Sequence, residues 1–162
     1  MKPQKVMTLC FLLKELPDGR RLVCLAEKKR GFRAGKINGV GGKQEGGETL
    51  EECARRETLE EVGVILEHCQ YIGIINFEDW NLEHVVHVYI SKKWQGDPVE
   101  TEEMRPFWID INEVPYHKMG SADRLWIPYI FMDKRLRATF KYSKDNYLTD
   151  VQIVFAEGVD DH

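Results

Sequence analysis

Apolar and polar residues alternate along several short stretches of this 162-residue chain. A period of two is typical of β-strands that bury one face. Pro17-Asp18-Gly19 forms a turn between the first two stretches, because proline fixes φ and glycine accepts a positive φ. Asp79–Glu83 connects a second hairpin. The predicted strands are Lys5–Lys14, Arg21–Lys28, His68–Glu78, His84–Lys93, Arg105–Ile111, Arg137–Lys141 and Thr149–Phe155.

Two other segments predict helices. The first begins at Thr49-x-x-Glu52, which has the form of a capping box, and ends at Gly63, where a left-handed residue can stop it. The second, Ala122–Met132, is amphipathic, with an apolar side made of Leu125, Trp126, Tyr129 and Ile130. Between the first hairpin and the first helix, Gly31–Gly47 predicts a glycine-rich loop. Long loops of this kind in compact domains are usually functional or disordered.

Strands outnumber helices in this pattern, and most neighbouring strands are joined as hairpins. It therefore predicts an α+β sandwich with a mixed, largely antiparallel sheet, rather than a doubly wound parallel sheet. The sequence has neither repeats nor a linker, so we expect residues 1–162 to form one domain. The acidic end, Glu157–His162, is expected to be frayed.

Composition narrows the class of protein. A formal net charge of −4 argues against a nucleic-acid duplex as partner. No apolar run approaches the roughly 20 residues that span a membrane, and the first residues lack a signal-peptide cleavage site. Without heptads, nothing suggests a dimer, and we expect a monomer. The four cysteines follow no metal-binding spacing, so we expect reduced thiols in a cytoplasmic protein: Cys10, Cys24, Cys53 and Cys69.

Charge is unevenly distributed around the first helix. Six basic residues fall between Lys28 and Lys43, whereas Glu45–Glu61 is acidic. Adjacent basic and acidic clusters suit a site that holds phosphates and a divalent cation together. A helical projection also places Glu57, Glu60 and Glu61 on the stripe that carries the small apolar residues of the helix.

This acidic stripe has two interpretations. The ordinary one is a solvated acidic face. The other is a metal site, because neighbouring carboxylates repel one another and lose hydration when they face the protein body. A hard cation such as Mg²⁺ removes both costs. Arg56, one turn before Glu60, can partly neutralise and orient the cluster.

The surrounding residues, 42–64, follow the pattern Gly42-x5-Glu48-x7-Arg56-Glu57-Thr58-x-Glu60-Glu61-x-Gly63-Val64. This segment resembles the Nudix box, from which it departs only at Thr58, where an aliphatic residue is usual. The match is specific because it fixes so many positions. The resemblance implies a Nudix-type α/β/α sandwich, and a hydrolase of diphosphates linked to another group that uses Mg²⁺, with Mn²⁺ as a possible substitute.

The resemblance also implies roles for individual residues. The metal ligands would be Glu57, Glu60, Glu61, the Gly41 or Gly42 carbonyl and Glu103, with Glu102 as the fallback. Arg56 would orient the glutamates, Glu48 would support them, and Lys43 would contact phosphate. Which carboxylate acts as the catalytic base stays open.

Segments outside the box extend the likeness to the MutT-type oxidised purine nucleoside triphosphatases, which release a monophosphate and pyrophosphate. They are Lys28–Phe32, Asn38–Lys43, Gly96–Glu100, Glu103–Pro106 and Trp126–Pro128. Asn38 would recognise the purine edge, and Trp126 would stack on the ring. The full set of implied substrate-binding residues is Thr8, Lys28, Phe32, Asn38, Gly41, Gly42, Lys43, Phe77, Met104, Asp123 and Trp126.

One segment departs from that branch. Gly120-Ser121-Ala122-Asp123 stands where the branch has Trp-Pro-Asp-Asp, so a stacking Trp and the first base-reading Asp are absent. A lost hydrogen-bonding partner weakens discrimination about tenfold to a hundredfold. Catalysis is expected to survive this change, with selectivity for oxidised purines relaxed or redirected.

Other hypotheses remain. Each aromatic residue taken singly suits ordinary core packing, and Asn38-Gly39 is a common turn signal. The same box could serve a dinucleoside polyphosphate, an ADP-sugar or a capped RNA end. A non-catalytic nucleotide-binding regulator is a further alternative, although such modules typically lose glutamates that this chain keeps.

Overall fold

The computed structural model describes residues 2–156, so the predicted frayed tail lies outside the described residues. The strands are β1 Gln4–Glu15, β2 Arg21–Lys28, β3 Ile37–Asn38, β4 Val40–Lys43, β5 Ile65–Leu66, β6 Gln70–Glu78, β7 Glu83–Ser91, β8 Trp94–Gln95, β9 Met104–Asp110, β10 Leu136–Tyr142 and β11 Leu148–Phe155. The helices are α1 Leu50–Val62 and α2 Asp123–Phe131, with a 3-10 turn at Tyr116–Lys118.

The seven predicted strands and both predicted helices occur, with ends within two residues of the predicted ones. The prediction of a plain loop over Gly31–Gly47 was wrong, because β3 and β4 lie inside it. Their pairing partners are distant in sequence: β3 pairs with β2, and β4 pairs with β1. Short glycine-containing strands of this kind are fixed by tertiary pairing rather than by their own sequence pattern.

The main sheet is mixed, as predicted. Its strand order is β11-β10-β6-β7-β1-β2-β3, with β4 also paired to β1 and β9 to β2. Only the β1–β7 and β6–β10 pairs are parallel among the described strands, and the other pairs are antiparallel. β1 is central, because β7 pairs with one edge and β4 and β2 share the other.

Both faces of β1 are covered. Phe11 and Leu13 lie in a core cluster with Trp126 and Ile127 of α2, whereas Leu12 belongs to a second cluster with α1. Since successive side chains of a strand point to opposite faces, the two helices pack on opposite sides of the sheet. This is the α/β/α sandwich that the resemblance implied. None of the described helices is long and apolar enough to cross a membrane.

Candidate active site on the first helix

The ends of α1 are fixed by the predicted devices. The Thr49 side chain accepts a hydrogen bond from the Glu52 backbone at 3.1 Å, and the Glu52 side chain accepts one from the Thr49 backbone at 2.8 Å. At the other end, Gly63 adopts a left-handed φ of 75° and donates its N–H to Leu59. The helix therefore presents its glutamates at fixed positions against β4.

The buried face of α1 is rotated from the predicted one. Thr58 is fully buried between Ala54 and Val62, and its hydroxyl donates to the Ala54 carbonyl at 2.8 Å. The Glu60 side chain, in contrast, is 58% exposed. The prediction that all three glutamates face inward was wrong for Glu60, because the packed stripe runs through Ala54, Thr58 and Val62, four residues apart.

Arg56 connects the acidic side chains. Its guanidinium contacts Glu48 at both carboxylate oxygens, with Nε–Oε2 and Nη2–Oε1 distances of 2.9 and 2.7 Å. Its Nη1 is shared between Glu57 at 2.9 Å and Glu60 at 3.2 Å. Nη2 also donates to the Lys43 carbonyl at 3.1 Å, which ties α1 to β4. A bidentate guanidinium pair is directional, so Arg56 orients this cluster.

The pKa values of the acidic residues are shifted in different directions. The Arg56 contact holds the pKa of Glu48 down at about 2. Burial raises the pKa of Glu57, against the effect of Arg56, and it raises the pKa of Glu61 to about 7. The Gly41 N–H donates to Glu61 Oε1 at 2.8 Å and opposes that rise, while the charge of Glu57 adds to it.

Two glycines make room for these carboxylates. A Cβ on Gly42 would lie 2.5 and 2.6 Å from the two Glu57 carboxylate oxygens. A Cβ on Gly41 would lie 2.9 Å from the Leu9 Cα and still closer to the Thr8 carbonyl. Gly41 therefore permits the close β1–β4 pairing, and Gly42 leaves the space in which the Glu57 carboxylate lies.

These carboxylates are suitable ligands for a cation, but they are not yet arranged as a complete coordination site. Within residues 2–156, no three His, Cys, Asp or Glu side chains converge as metal ligands do. Arg56 holds Glu57 and Glu60, and Arg30 holds Glu103 through Nη2 at 2.6 Å. Glu103 is nevertheless close enough for its charge to raise the pKa of Glu61. Oxygen donors that repel one another are the ligand type that Mg²⁺ prefers.

The predicted base-binding residues do not all meet in one place. The Thr8 hydroxyl lies 3.3 Å from Cys53 Sγ, and Met104 is buried in the cluster beneath α1. Both therefore lie on the α1 side of the sheet, because strand alternation directs them there. Asp123 and Trp126 belong to α2, on the opposite side.

Trp126 does not present a face for stacking. It is 1% exposed and packs in the core against Phe11, with the ring centroids 6.4 Å apart. Its indole N–H donates to Asp123 Oδ1 at 3.1 Å, while the Gly120 N–H donates to Asp123 Oδ2 at 2.9 Å. Both oxygens of this buried carboxylate therefore have partners at the start of α2.

The remaining predicted residues lie near the surface. Phe32 is 81% exposed. Asn38 is exposed, and its side-chain oxygen accepts the Gly39 N–H at 2.8 Å, which is the local turn alternative. Phe77 is partly buried and stacks on Phe140, with centroids 5.6 Å apart. Lys28 is close enough for its charge to lower the pKa of Glu61.

Sequence reasoning missed one residue that lies beside Phe77, on the α2 side of the sheet. His84 lies directly opposite Phe77 in the β6–β7 pair and next to Lys5 in the β1–β7 pair. The predicted hairpin across Asp79–Glu83 could have indicated His84, because the register of that hairpin places His84 opposite Phe77.

Comparison with known proteins gives a consistent picture. The NUDIX domain model matches residues 7–130. The chain is 40% identical over 152 residues to an oxidized purine nucleoside triphosphate hydrolase of Danio rerio, covering 93% of this chain and 94% of that protein. It is 35% identical to the protein of the same name from Mus musculus, covering 88% and 89%. A crystal structure of a MutT protein from Bacillus halodurans superposes with a TM-score of 0.74 at 24% identity, covering 92% of this chain and 97% of that one.

Proposed function

Because this chain belongs to the NUDIX domain family, we propose that it hydrolyses oxidised purine nucleoside triphosphates, such as 8-oxo-dGTP, to the monophosphate and pyrophosphate. The relatives from Danio rerio and Mus musculus are named oxidized purine nucleoside triphosphate hydrolases and align over nearly the whole chain. The observation that carries the proposal is the acidic cluster that Arg56 organises between α1 and β4. We propose that one domain suffices for this activity.

NUDIX hydrolases generally use divalent metals, and we propose Mg²⁺ for this chain, with Mn²⁺ as a substitute. Glu57, Glu60 and Glu61 would hold the ion, helped by the Gly41 carbonyl and by Glu103 once it leaves Arg30. The donors are all oxygen, and burial, with a smaller contribution from neighbouring carboxylate charges, raises the pKa of Glu57 and Glu61, as expected for ligands that need a cation. When bound, the ion offsets phosphate charge and makes water more acidic.

The protein groups have separate tasks in this proposal. Glu61 Oε1 accepts the Gly41 N–H, so Oε2 is the oxygen that remains for an ion or a proton. A pKa of about 7 in the metal-free protein means that this oxygen carries a proton over part of the neutral range, and the ion would displace that proton. Lys28 and Lys43 lie beside the cluster and supply positive charge for the phosphates.

The test is a comparison of substrates. Purified protein with Mg²⁺ should release pyrophosphate from 8-oxo-dGTP with a higher kcat/KM than from dGTP or dATP. Parallel assays with a dinucleoside polyphosphate, an ADP-sugar and a capped RNA cover the alternatives. A preference for one of those, or none for any oxidised nucleotide, would overturn the proposed substrate.

The same assay tests the site. Glu61→Gln should abolish hydrolysis, while Glu51→Gln provides a matched control. Glu51 belongs to the same helix but is exposed and pairs with Arg55. Unchanged hydrolysis by Glu61→Gln would exclude the assigned cluster.

The four cysteines fit a reducing compartment. All four are free thiols, and three of them are buried. We propose the cytoplasm as the location, in line with the rarity of unpaired cysteines in secreted domains.

A further inference from the structure

His84 is placed by strand register on the same side of the sheet as α2. Along β7, alternate residues Val86 and Val88 pack in the α2-side core, and His84 continues that series toward the end of the strand. It lies opposite Phe77. Phe77 in turn stacks on Phe140, so His84 lies next to a pair of stacked aromatic rings at the edge of this core.

The imidazole of His84 lacks a partner that the comparable histidines have. His87 Nδ1 pairs with the Tyr71 hydroxyl at 2.9 Å, and His68 Nδ1 accepts the Lys92 N–H at 3.0 Å. Among the described residues, neither ring nitrogen of His84 forms a hydrogen bond, although the ring is partly buried. Neither nitrogen belongs to the buried side-chain atoms that lack a partner, so both are open to solvent and can bind a ligand.

The charges around His84 come from three elements. Lys5 of β1, Arg33 of the β2–β3 loop and Asp79 of the hairpin turn all act on it, and burial is the largest influence that lowers its pKa. The imidazole is therefore neutral near pH 7, with one nitrogen that donates and one that accepts. Arg33 also acts on Asp123, so both residues lie near the same guanidinium.

Asp123 alone is poorly equipped to recognise a base. An ionised carboxylate only accepts hydrogen bonds, and each oxygen of Asp123 already accepts one, from the Gly120 N–H or the Trp126 indole. Ala122, beside it, is fully buried and has no polar side chain. A purine edge carries both donors and acceptors, so its recognition needs a group that supplies both.

We propose that His84 is a specificity-determining residue that hydrogen-bonds to the edge of an oxidised purine bound near Arg33 and Asp123. This inference rests on the proposed function. The neutral imidazole supplies the donor and acceptor that the α2 start does not, and Phe77 supplies an apolar surface beside the ring.

The experiment compares two histidines of the same strand. His84→Leu should raise the KM for 8-oxo-dGTP about tenfold, with kcat near the wild-type value, since a base contact is made equally in the ground and transition states. His84→Asn, which keeps a donor and an acceptor, should lose less. His87→Leu is the control, because His87 lies on the opposite face of β7.

Binding separates the two proposals. Titration of 8-oxo-dGMP into each variant, with thermal melting to confirm folding, should show weaker binding only for the His84 variants. Unchanged KM and unchanged product binding in His84→Leu would overturn the role of His84, whatever the enzyme hydrolyses. If the wild-type protein hydrolyses no oxidised triphosphate, the proposed function fails, and the titration still decides whether His84 contacts the base. Absence of binding by the wild-type protein would overturn the inference as well.

Discussion

Adjacent glycines in β4 should respond in opposite ways to the same added methyl group. In Gly41→Ala the new Cβ meets backbone atoms, lying 2.8 Å from the Thr8 carbonyl carbon and 2.9 Å from the Leu9 Cα. In Gly42→Ala the nearest atoms are those of the Glu57 carboxylate, whose oxygens lie at 2.5 and 2.6 Å. Gly46→Ala is the matched control, since nothing lies within 4 Å of a Cβ there.

The expected changes in stability depend on whether the atoms that the new methyl group meets can move. Backbone in a paired strand cannot shift without breaking the β1–β4 pairing, so Gly41→Ala should destabilise folding by about 1–3 kcal/mol or more. The Glu57 side chain can rotate away, so Gly42→Ala should change stability by less than about 1 kcal/mol. That rotation misplaces a carboxylate of the candidate metal site. A displacement of about 1 Å in a catalytic arrangement can cost roughly a hundredfold in rate.

Two measurements check this contrast. Denaturant unfolding gives the free energy of unfolding, and pyrophosphate release with saturating Mg²⁺ gives kcat. We expect Gly41→Ala to lose stability, Gly42→Ala to lose about a hundredfold in kcat while staying folded, and Gly46→Ala to match the wild type. A Gly42→Ala protein with the wild-type kcat would refute the reasoning, as would a Gly41→Ala protein as stable as the wild type.

Two further predictions concern the charges of the cluster. Arg56→Lys keeps the charge but loses the bidentate contact with Glu48, so kcat should fall about tenfold or more with little change in KM, as steady-state kinetics can show. Glu61 has a folded-state pKa of about 7 against an ordinary 4.5, so the metal-free protein should lose stability as the pH rises through that window. In EDTA, Glu61→Gln should therefore raise the free energy of unfolding at pH 8 by up to about 3 kcal/mol, and should not raise it at pH 4.5. The Tm should rise at pH 8 accordingly. An equal change in Tm at both pH values would contradict this.

Local signals in the sequence were sufficient for the strands, the helices and the contacts of Arg56 within the first helix. The capping box at Thr49 and Glu52 and the stop at Gly63 depend only on residues within one helix, and they occur as predicted. The pairing of Arg56 with the glutamates also follows from spacing along a single helix. Predictions of this kind hold because the interacting groups are neighbours in the chain.

Predictions failed where packing between distant elements decides the outcome. The helical projection could not show that Thr58 is the buried side of α1, because that depends on how α1 sits on β4. The contact of Thr8 with Cys53 and the enclosure of Trp126 by the core depend in the same way on elements that are distant in the sequence, and the substrate-binding roles of both residues stay predictions. Which strand face meets which helix is settled by the sheet order, and residues far apart in sequence determine that order.

The contacts of Arg56 explain why chemically identical side chains can take different roles. The Arg56 guanidinium donates to both oxygens of Glu48 and offsets the negative charge of that carboxylate. The pKa of Glu48 therefore falls to about 2. Only one nitrogen remains for Glu57 and Glu60, and Glu61 receives a backbone N–H instead. Burial therefore dominates at Glu57 and Glu61, and raises the pKa of each. The single guanidinium of Arg56 therefore distinguishes one structural carboxylate, Glu48, from carboxylates that are stabilised as anions when a cation binds. Because such ligands must lose their protons to bind a cation, cation affinity in this site should weaken as the pH falls below about 7.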